Sequence, residues 1–311
     1  MKMYVGVTDK DWYNLLKAEK CEEVNFWKPG GNTTFKAINS GDLFLFKLHS
    51  PENYIVGGGI FTRYSILPSS LAWDAFGIEN GVKSAFELKQ RIYKYRNTSR
   101  AIEPDPNIGC IILSAAFYFE RNDWIPIPSD WSGSIVQGKT YNTATEIGLE
   151  LYMQIQKRLQ QQMILNAVSA VEENEMQRYG AEQTFEPRLG QGAFRVLITE
   201  TYHRRCAITG EKTLPVLDAA HIKPYSELGP HLITNGLLLR KDIHTLFDRG
   251  YITVDDKYNI EVSRRLKEDY GNGKEYYAHH GKKLLILPER VEDMPAKEYL
   301  EWHNNNIFIG A

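Results

Sequence analysis

Between Arg205 and Val254 the chain reads RCAITGEKTLPVLDAAHIKPYSELGPHLITNGLLLRKDIHTLFDRGYITV, and four of its side chains have types suited to hydrolytic chemistry. They are His221, Asn235, His244 and Asp248, with successive separations of 14, 9 and 4 residues. A neutral imidazole titrates close to neutral pH, so His221 could take a proton from water as a general base. His244 and Asp248 lie four apart, which on a helix sets them on one face one turn from each other. An imidazole and a carboxylate so placed could hold a divalent ion such as Mg²⁺, Mn²⁺, Ni²⁺ or Zn²⁺. Asn235 carries both a donor and an acceptor, suited to bracing a long loop. Singly, a strand histidine is more often structural than catalytic, and a His-xxx-Asp pair is more often a solvated face or a cap. The set at this spacing carries the reading.

The elements that must position these groups read as a β-β-α unit. Arg205–Thr209 and Leu214–Ile222 are expected as two strands of a hairpin with a loop at Gly210. A loop containing Gly229-Pro230 leads to Asn235-Gly236, an apolar run at Leu237–Leu239 and a short helix from Lys241 to Phe247. In such a unit the strand carrying His221 packs against the helix carrying His244.

This run resembles an HNH nuclease of the ββα-metal class. CAITG (206–210), AAHIKP (219–224), NGLLL (235–239) and DIHTLFDRG (242–250) are similar to segments of HNH domains in bacterial restriction and defence enzymes. The similarity extends upstream through RLGQGAFR, downstream through VSRRL, and to the closing EWHNNNIF, covering residues 187–308. The resemblance implies that His221 activates water for attack on a scissile phosphate. It further implies that His244 and Asp248 hold one divalent ion and that Asn235 constrains the loop aiming His221. In one position the chain departs from the pattern. Many HNH enzymes place a metal-binding Asp or His immediately before the base, where this chain has Ala220. Asp218, two residues earlier, has two readings: a third metal ligand, or a strand-start residue bonded to the backbone. His231 and His203 are read as loop and helix residues, and His279-His280 as part of a polar turn.

Composition frames this reading. With 311 residues the chain favours two domains, and 42% hydrophobic with 24% charged residues is ordinary for a globular protein. MKMYVGVTDKDWYNLL lacks a signal-peptide core and no run approaches transmembrane length, so a cytoplasmic location is expected. Cys21, Cys110 and Cys206 form no CxxC pair, which fits a reducing compartment and excludes a four-cysteine zinc site. The net charge of −2 gives no global nucleic-acid signature. Locally, however, Lys83, Lys89, Arg91, Lys94, Arg96 and Arg100 face one acid, Glu87. A patch of this kind can bind a polyanion on a near-neutral protein.

The two halves differ in character, since five of six tryptophans lie within the first 131 residues. DLFLFKL (42–48), YIVGGGIF (54–61) and CIILSAAFYF (110–119) read as strands, 70–77 and 83–96 as helices. Ile147, Leu151, Ile155, Leu159, Met163 and Val168 predict one long helix over 145–178. GAEQTFEPRLGQG (180–192) reads as the boundary, followed by a helix over 193–203.

Residues 24–61 resemble the EVE domain of the PUA-like superfamily. Asn25-Phe26-Trp27, Gly41-Asp42, His49-Ser50 and Ile55-Val56-Gly57 match its Asn-aromatic turn, Gly-Asp strand opening, His-Ser strand end and Ile-Val-Gly strand. The similarity covers residues 3–145. EVE and related domains hold a flipped, often modified nucleobase. The resemblance therefore implies that Phe26 and Trp27 supply stacking faces and Asn25, His49 and Ser50 supply edge contacts. Phe26 and Trp27 equally suit packing at a barrel end, and Trp73 suits a helix core. In RIYKYR (91–96), Arg91, Lys94 and Arg96 suit contacts to a DNA backbone, on a helix that buries Ile92 and Tyr95.

The expected architecture is α+β. An N-terminal PUA-like (EVE) β-barrel with flanking helices spans 1–145, a helical linker 146–186, and a C-terminal ββα-metal HNH domain 187–311. The expected function is modification-dependent cleavage of double-stranded DNA carrying a modified cytosine, 5-methyl or 5-hydroxymethyl, by a divalent metal-dependent enzyme. Because one HNH site cuts one strand, a homodimer is expected for double-strand breaks. The alternatives are an HNH nuclease targeted by DNA sequence or by a partner protein, and a non-catalytic reader of modified nucleic acid.

Overall fold

The computed structural model describes residues 1–31, 34–96, 103–173 and 190–310, with side chains omitted over 163–173. The chain divides into two compact units, Met1–Arg188 and Leu189–Ala311.

The first unit runs β1 (Lys2–Thr8), α1 (Lys10–Ala18), β2 (Val24–Lys28), β3 (Leu43–Leu48), β4 (Tyr54–Pro68), α2 (Ser69–Phe76) and α3 (Ala85–Arg96). It continues with β5 (Asn107–Tyr118), β6 (Ile125–Pro126), β7 (Gly138–Asn142) and α4 (Glu146–Glu173). The strands form one sheet in the order β2-β5-β4-β3-β1-β7, with β6 added to β4. β1 and β3 run parallel and the other pairs antiparallel. Period-two alternation sorts the side chains between two cores. Tyr4, Phe44, Phe46 and Leu48 pack with Trp12, Tyr13 and Leu16 of α1. Met3, Val5, Leu43 and Leu45 pack on the opposite face with Leu151 and Ile155 of α4. Of the 3.6-residue stripe that predicts α4, Ile147, Leu151, Ile155 and Leu159 lie on the sheet, while the side chains of Met163 and Val168 and the end of the expected helix beyond Glu173 fall outside what is described.

The expected closed barrel is corrected: among the described residues the sheet is open, with β2 and β7 at its ends and no pairing between them. Long bulged strands supply the curvature. β4 reaches Pro68, well past the expected end at Phe61, and shifts register against β5 twice. A side chain at Gly58 would stand 2.6 Å from the Phe44 carbonyl oxygen, so this crossing of β3 and β4 needs a glycine. No described helix is long and apolar enough to cross a membrane.

The second unit runs α5 (Gln191–Thr201), β8 (Leu217–His221), β9 (Gly236–Arg240), α6 (Lys241–Asp248), β10 (Ile252–Val254) and β11 (Ile260–Val262). It closes with α7 (Arg265–Tyr270), α8 (Lys274–Tyr277) and α9 (Lys297–Asn306). The expected hairpin partner is corrected: β8 pairs antiparallel with β9, and Arg205–Thr209 is not a strand. The reason lies in CAITG. Gly210 N–H donates to the Cys206 carbonyl at 2.9 Å, closing a turn. The Cys206 thiol then accepts from the amides of Thr209 at 3.5 Å and Arg240 at 3.4 Å. Ala207 N–H donates to the Leu238 carbonyl at 2.7 Å, docking this turn against β9. All three cysteines are free and buried.

One core holds the unit together, with Phe194, Ile198 and Tyr202 on one side and Leu237, Leu238, Leu239, Ile243 and Phe247 on the other. On α6, Ile243 and Phe247 take the buried face at i and i+4. The same spacing leaves His244 and Asp248 side by side off that core.

Candidate active site

β8, α5 and α6 frame a cavity of about 350 Å³ lined by Phe194, Arg195, Asp218, His221, His244 and Asp248, among others. His221 ends β8 opposite Gly236, and the 14-residue loop that follows returns to β9 through Asn235. Asn235 is fully buried, and its amide satisfies that loop at three points. Its carbonyl accepts from Lys223 N–H at 2.9 Å, and its NH₂ donates to the carbonyls of Lys223 at 2.9 Å and Pro230 at 3.0 Å. One side chain therefore ties both limbs of the loop behind His221. A tie of this kind needs the amide's donor and acceptor together.

The structure brings the two expected carboxylates to the imidazole of the third expected ligand residue, His244. His244 Nδ1 lies 3.3 Å from Asp218 Oδ2, and His244 Nε2 lies 3.3 Å from Asp248 Oδ2. Asp218 Oδ1 stands 3.4 Å from an Arg195 guanidinium nitrogen and accepts from Ala219 N–H at 3.1 Å. Burial works against the His244 cation, but the Asp218 hydrogen bond and the Asp248 charge outweigh it, holding the pKa above the ordinary histidine range. Burial likewise raises the Asp218 carboxyl, and His244 and Arg195 more than reverse that, leaving it below the usual range. Ala220, which precedes His221, is fully buried in the core.

His221 is pushed down to about 4 by burial, then by the neighbouring His231 and His244. Its ring stacks on Phe194 at 3.9 Å and 11°. Its Nε2 lies 2.9 Å from His231 Nδ1, and His231 stacks on Tyr225 at 4.8 Å. The sequence places His231 in the loop, and includes Phe194 and Arg195 in the RLGQGAFR similarity, without assigning any of the three a role at the site. The usable signal was positional: His231 follows Gly229-Pro230 inside the loop that Asn235 closes, and FR (194–195) opens the helix preceding CAITG. His203 instead pairs with Glu289 at 3.4 Å, and His280 Nδ1 accepts from Val262 N–H at 3.0 Å.

The candidate base-reading residues of the first unit make the following contacts among the described residues. Asn25 is fully buried and donates to Asn80 Oδ1 at 2.9 Å. Phe26 is buried against Trp12, Phe44 and Phe46, which commits its ring to the core. Half-buried Trp27 donates to the Asn80 carbonyl at 2.9 Å and lies 6.1 Å from the Tyr95 ring. Tyr95 hydrogen-bonds Asp9, and Asp9 stands 3.5 Å from exposed His49, while Ser50 is exposed. Tyr95, expected to be buried with Ile92, is 45% exposed, so the α3 helix buries Leu88 and Ile92 instead. Of the proposed DNA-backbone cations, Lys94 is exposed, and Arg91 pairs with Glu87 at 2.9 Å. Arg96 donates to the Pro29 carbonyl at 2.8 Å and pairs with Glu103 at 3.2 Å.

Residues 206–255 match the HNH endonuclease family. This segment contains the β8-β9-α6 unit with His221, Asn235, His244 and Asp248, so the chain carries an HNH-type DNA endonuclease domain. Among solved structures, the chain is similar to a mutant of the protein ZmASCH from Zymomonas mobilis, at 5% identity and a TM-score of 0.33, over 49% of this chain and 95% of that one. It is also similar to the modification dependent TagI restriction endonuclease, at 12% identity and a TM-score of 0.27, over 92% of this chain and 75% of that one. No curated protein matches the sequence.

Proposed function

We propose that this protein is a modification-dependent DNA endonuclease in which the second unit hydrolyses the phosphodiester and the first recognises a modified base. The observation that carries the nuclease part is the convergence of His221, His244, Asp218 and Asp248 on one cavity of about 350 Å³, behind which Asn235 fixes the loop.

In this reading His221, neutral at physiological pH, removes a proton from water and the resulting hydroxide attacks phosphorus as the P–O3′ bond breaks. The departing oxygen takes its proton from solvent. Arg195 places positive charge at the cavity wall, where a phosphate would sit.

The residues fit a hard divalent ion, with a restriction set by geometry. Among the described residues no cluster of three or more His, Cys, Asp and Glu side chains is arranged to hold a metal. His244 with one carboxylate offers two protein donors, a small set that suits an ion keeping several waters and a substrate phosphate as its remaining ligands. One imidazole cannot bind one ion through both nitrogens. Asp218 already faces the Arg195 cation, so we assign His244 Nε2 and Asp248 as the ligands. Asp218 then accepts from His244 Nδ1–H and orients the ring. A bound ion would offset charge developing on the phosphate and on the leaving oxygen.

Recognition of a modified cytosine rests on the EVE-like motifs of residues 24–61. Trp27 is the aromatic of that set with its ring partly open, and it shares a surface chain with Tyr95, Asp9 and His49. Because one site cuts one strand, double-strand breaks require two protomers or successive nicks. The test is digestion of matched plasmids with and without 5-methyl- or 5-hydroxymethylcytosine. Cleavage confined to modified DNA supports the reader, and equal cleavage of both plasmids removes the reader while leaving the nuclease.

A further inference from the structure

We infer that His231 is a positioning residue for the general base: it accepts a hydrogen bond from His221 Nε2–H and so leaves the His221 Nδ1 lone pair for water. This rests on the nuclease reading above and adds to it the partner that sets the tautomer of the base.

The argument begins with the inventory of His221. Its Nε2 faces His231 Nδ1 at 2.9 Å, and among the described residues no hydrogen bond reaches its Nδ1. A neutral imidazole has one N–H and one lone pair, so this contact requires one ring to donate and the other to accept. Were His231 Nδ1–H the donor, His221 would carry its proton on Nδ1, and neither of its nitrogens would be free to take a proton from water. With His221 Nε2–H as the donor, Nδ1 is the basic atom, and His221 lines the cavity. Only the second arrangement is compatible with general-base chemistry.

Both rings are held from outside the pair. Phe194 of α5 stacks on His221, with an interplanar angle of 11°, and Tyr225 stacks on His231 at 12°. The loop bearing His231 is tied through Pro230 to Asn235, so the residue adjacent to His231 is fixed by the side chain that shapes the rest of the loop. As the His221 Nδ1 takes the proton from water, the Nε2–H···Nδ1 contact becomes charge-assisted and shortens in the transition state. His231 thus acts on the reaction through His221 and touches neither water nor phosphate. The His221–His231 pair fills the part that a carboxylate or carbonyl plays behind other catalytic histidines.

The test uses the full chain and two variants. H231N keeps an amide oxygen near the position of Nδ1, and H231F keeps the ring stacking on Tyr225 but removes the acceptor. Imidazole ¹⁵N–¹H correlation spectra, with the His221 signal assigned by its loss in His221→Gln, report which nitrogen carries the proton. Single-turnover nicking of supercoiled plasmid with Mn²⁺ reports the consequence. The expected result is Nε2–H at His221 in the wild type and H231N, and loss of that preference in H231F. H231F should lower the nicking rate about tenfold or more at unchanged DNA affinity, since a wrong tautomer behind a catalytic base is costly. H231N should restore the rate to within about threefold of wild type. Nδ1–H at His221 in the wild type, or an H231F enzyme with unaltered tautomer and rate, overturns the assignment. A wild type that shows Nε2–H but does not nick supports the pair and overturns the nuclease reading.

Discussion

The His244 ring is held between two carboxylates, with Asp218 3.3 Å from Nδ1 and Asp248 3.3 Å from Nε2. The two acids come from different elements, Asp218 from β8 and Asp248 from the end of α6. Their unequal surroundings give them different predicted roles. Asp218 is pinned by Arg195 and the Ala219 amide, while Asp248 is the more exposed, at 56% of its side chain against 32%.

The first prediction follows from that asymmetry. D248N should remove measurable Mn²⁺ binding in calorimetric titration. D218N should leave binding in place but weaken it by about 10- to 100-fold, as expected for a group that orients a ligand. The reverse order of effects would move the metal to the Nδ1 side of the ring.

A second prediction concerns Asn235, which is fully buried with three hydrogen bonds of 2.9, 2.9 and 3.0 Å to the loop it spans. Removing its amide leaves the Lys223 and Pro230 groups without a partner, at a cost of about 2–4 kcal/mol. N235D should be at least as damaging, because a carboxylate cannot donate to the two carbonyls. Urea midpoints measure both. Unchanged midpoints would mean that the loop holds its shape without the tie.

The four residues singled out in the sequence were legible through their joint spacing, since each taken singly has a commoner structural use. His221, Asn235, His244 and Asp248 all fall in the β8-β9-α6 unit, and the i, i+4 step on α6 fixes the last two directly. The strand pairing was not legible. Local apolarity suggested a partner at 205–209, whereas the true partner lies beyond the 14-residue loop, and the cysteine-centred turn that displaced it depends on contacts with Arg240. His231 was missed for the same reason: its role exists only once the loop returns it to His221. In the first unit the aromatic motif was visible, but sequence cannot say which face of β2 its residues take, and Phe26 turned to the core. β1 carries no punctuation of its own and was read only as the absence of a signal peptide.

A third prediction uses His303, which is 2% exposed and stacks on Phe247 at 3.8 Å. It donates from Nε2 to the Phe247 carbonyl at 3.1 Å, so its Nδ1 accepts from the Thr253 hydroxyl at 2.8 Å. Burial pushes its pKa down to about 4, the Phe247 carbonyl only partly opposing this. The unfolded chain takes up this proton as pH falls through the ordinary value of about 6.5, while the folded chain resists until about 4. The neutral ring thus favours the folded state fully above pH 6.5, and that advantage is lost as pH falls towards 4, by about 3 kcal/mol in all. Comparing wild type with H303Q in urea isolates this share from that of His221. H303Q should be the less stable at pH 7, and the difference should shrink towards pH 4. A difference independent of pH would be contrary to a buried neutral His303.

The most direct test of the account is nicking of supercoiled, modified plasmid by the wild type and H221A, with Mn²⁺ and with EDTA. The wild type should nick with Mn²⁺ and stop with EDTA, and H221A should be slower by about 100-fold or more while keeping its fold by circular dichroism. Equal nicking by both proteins, or nicking that survives EDTA, would contradict a metal-dependent site built on His221.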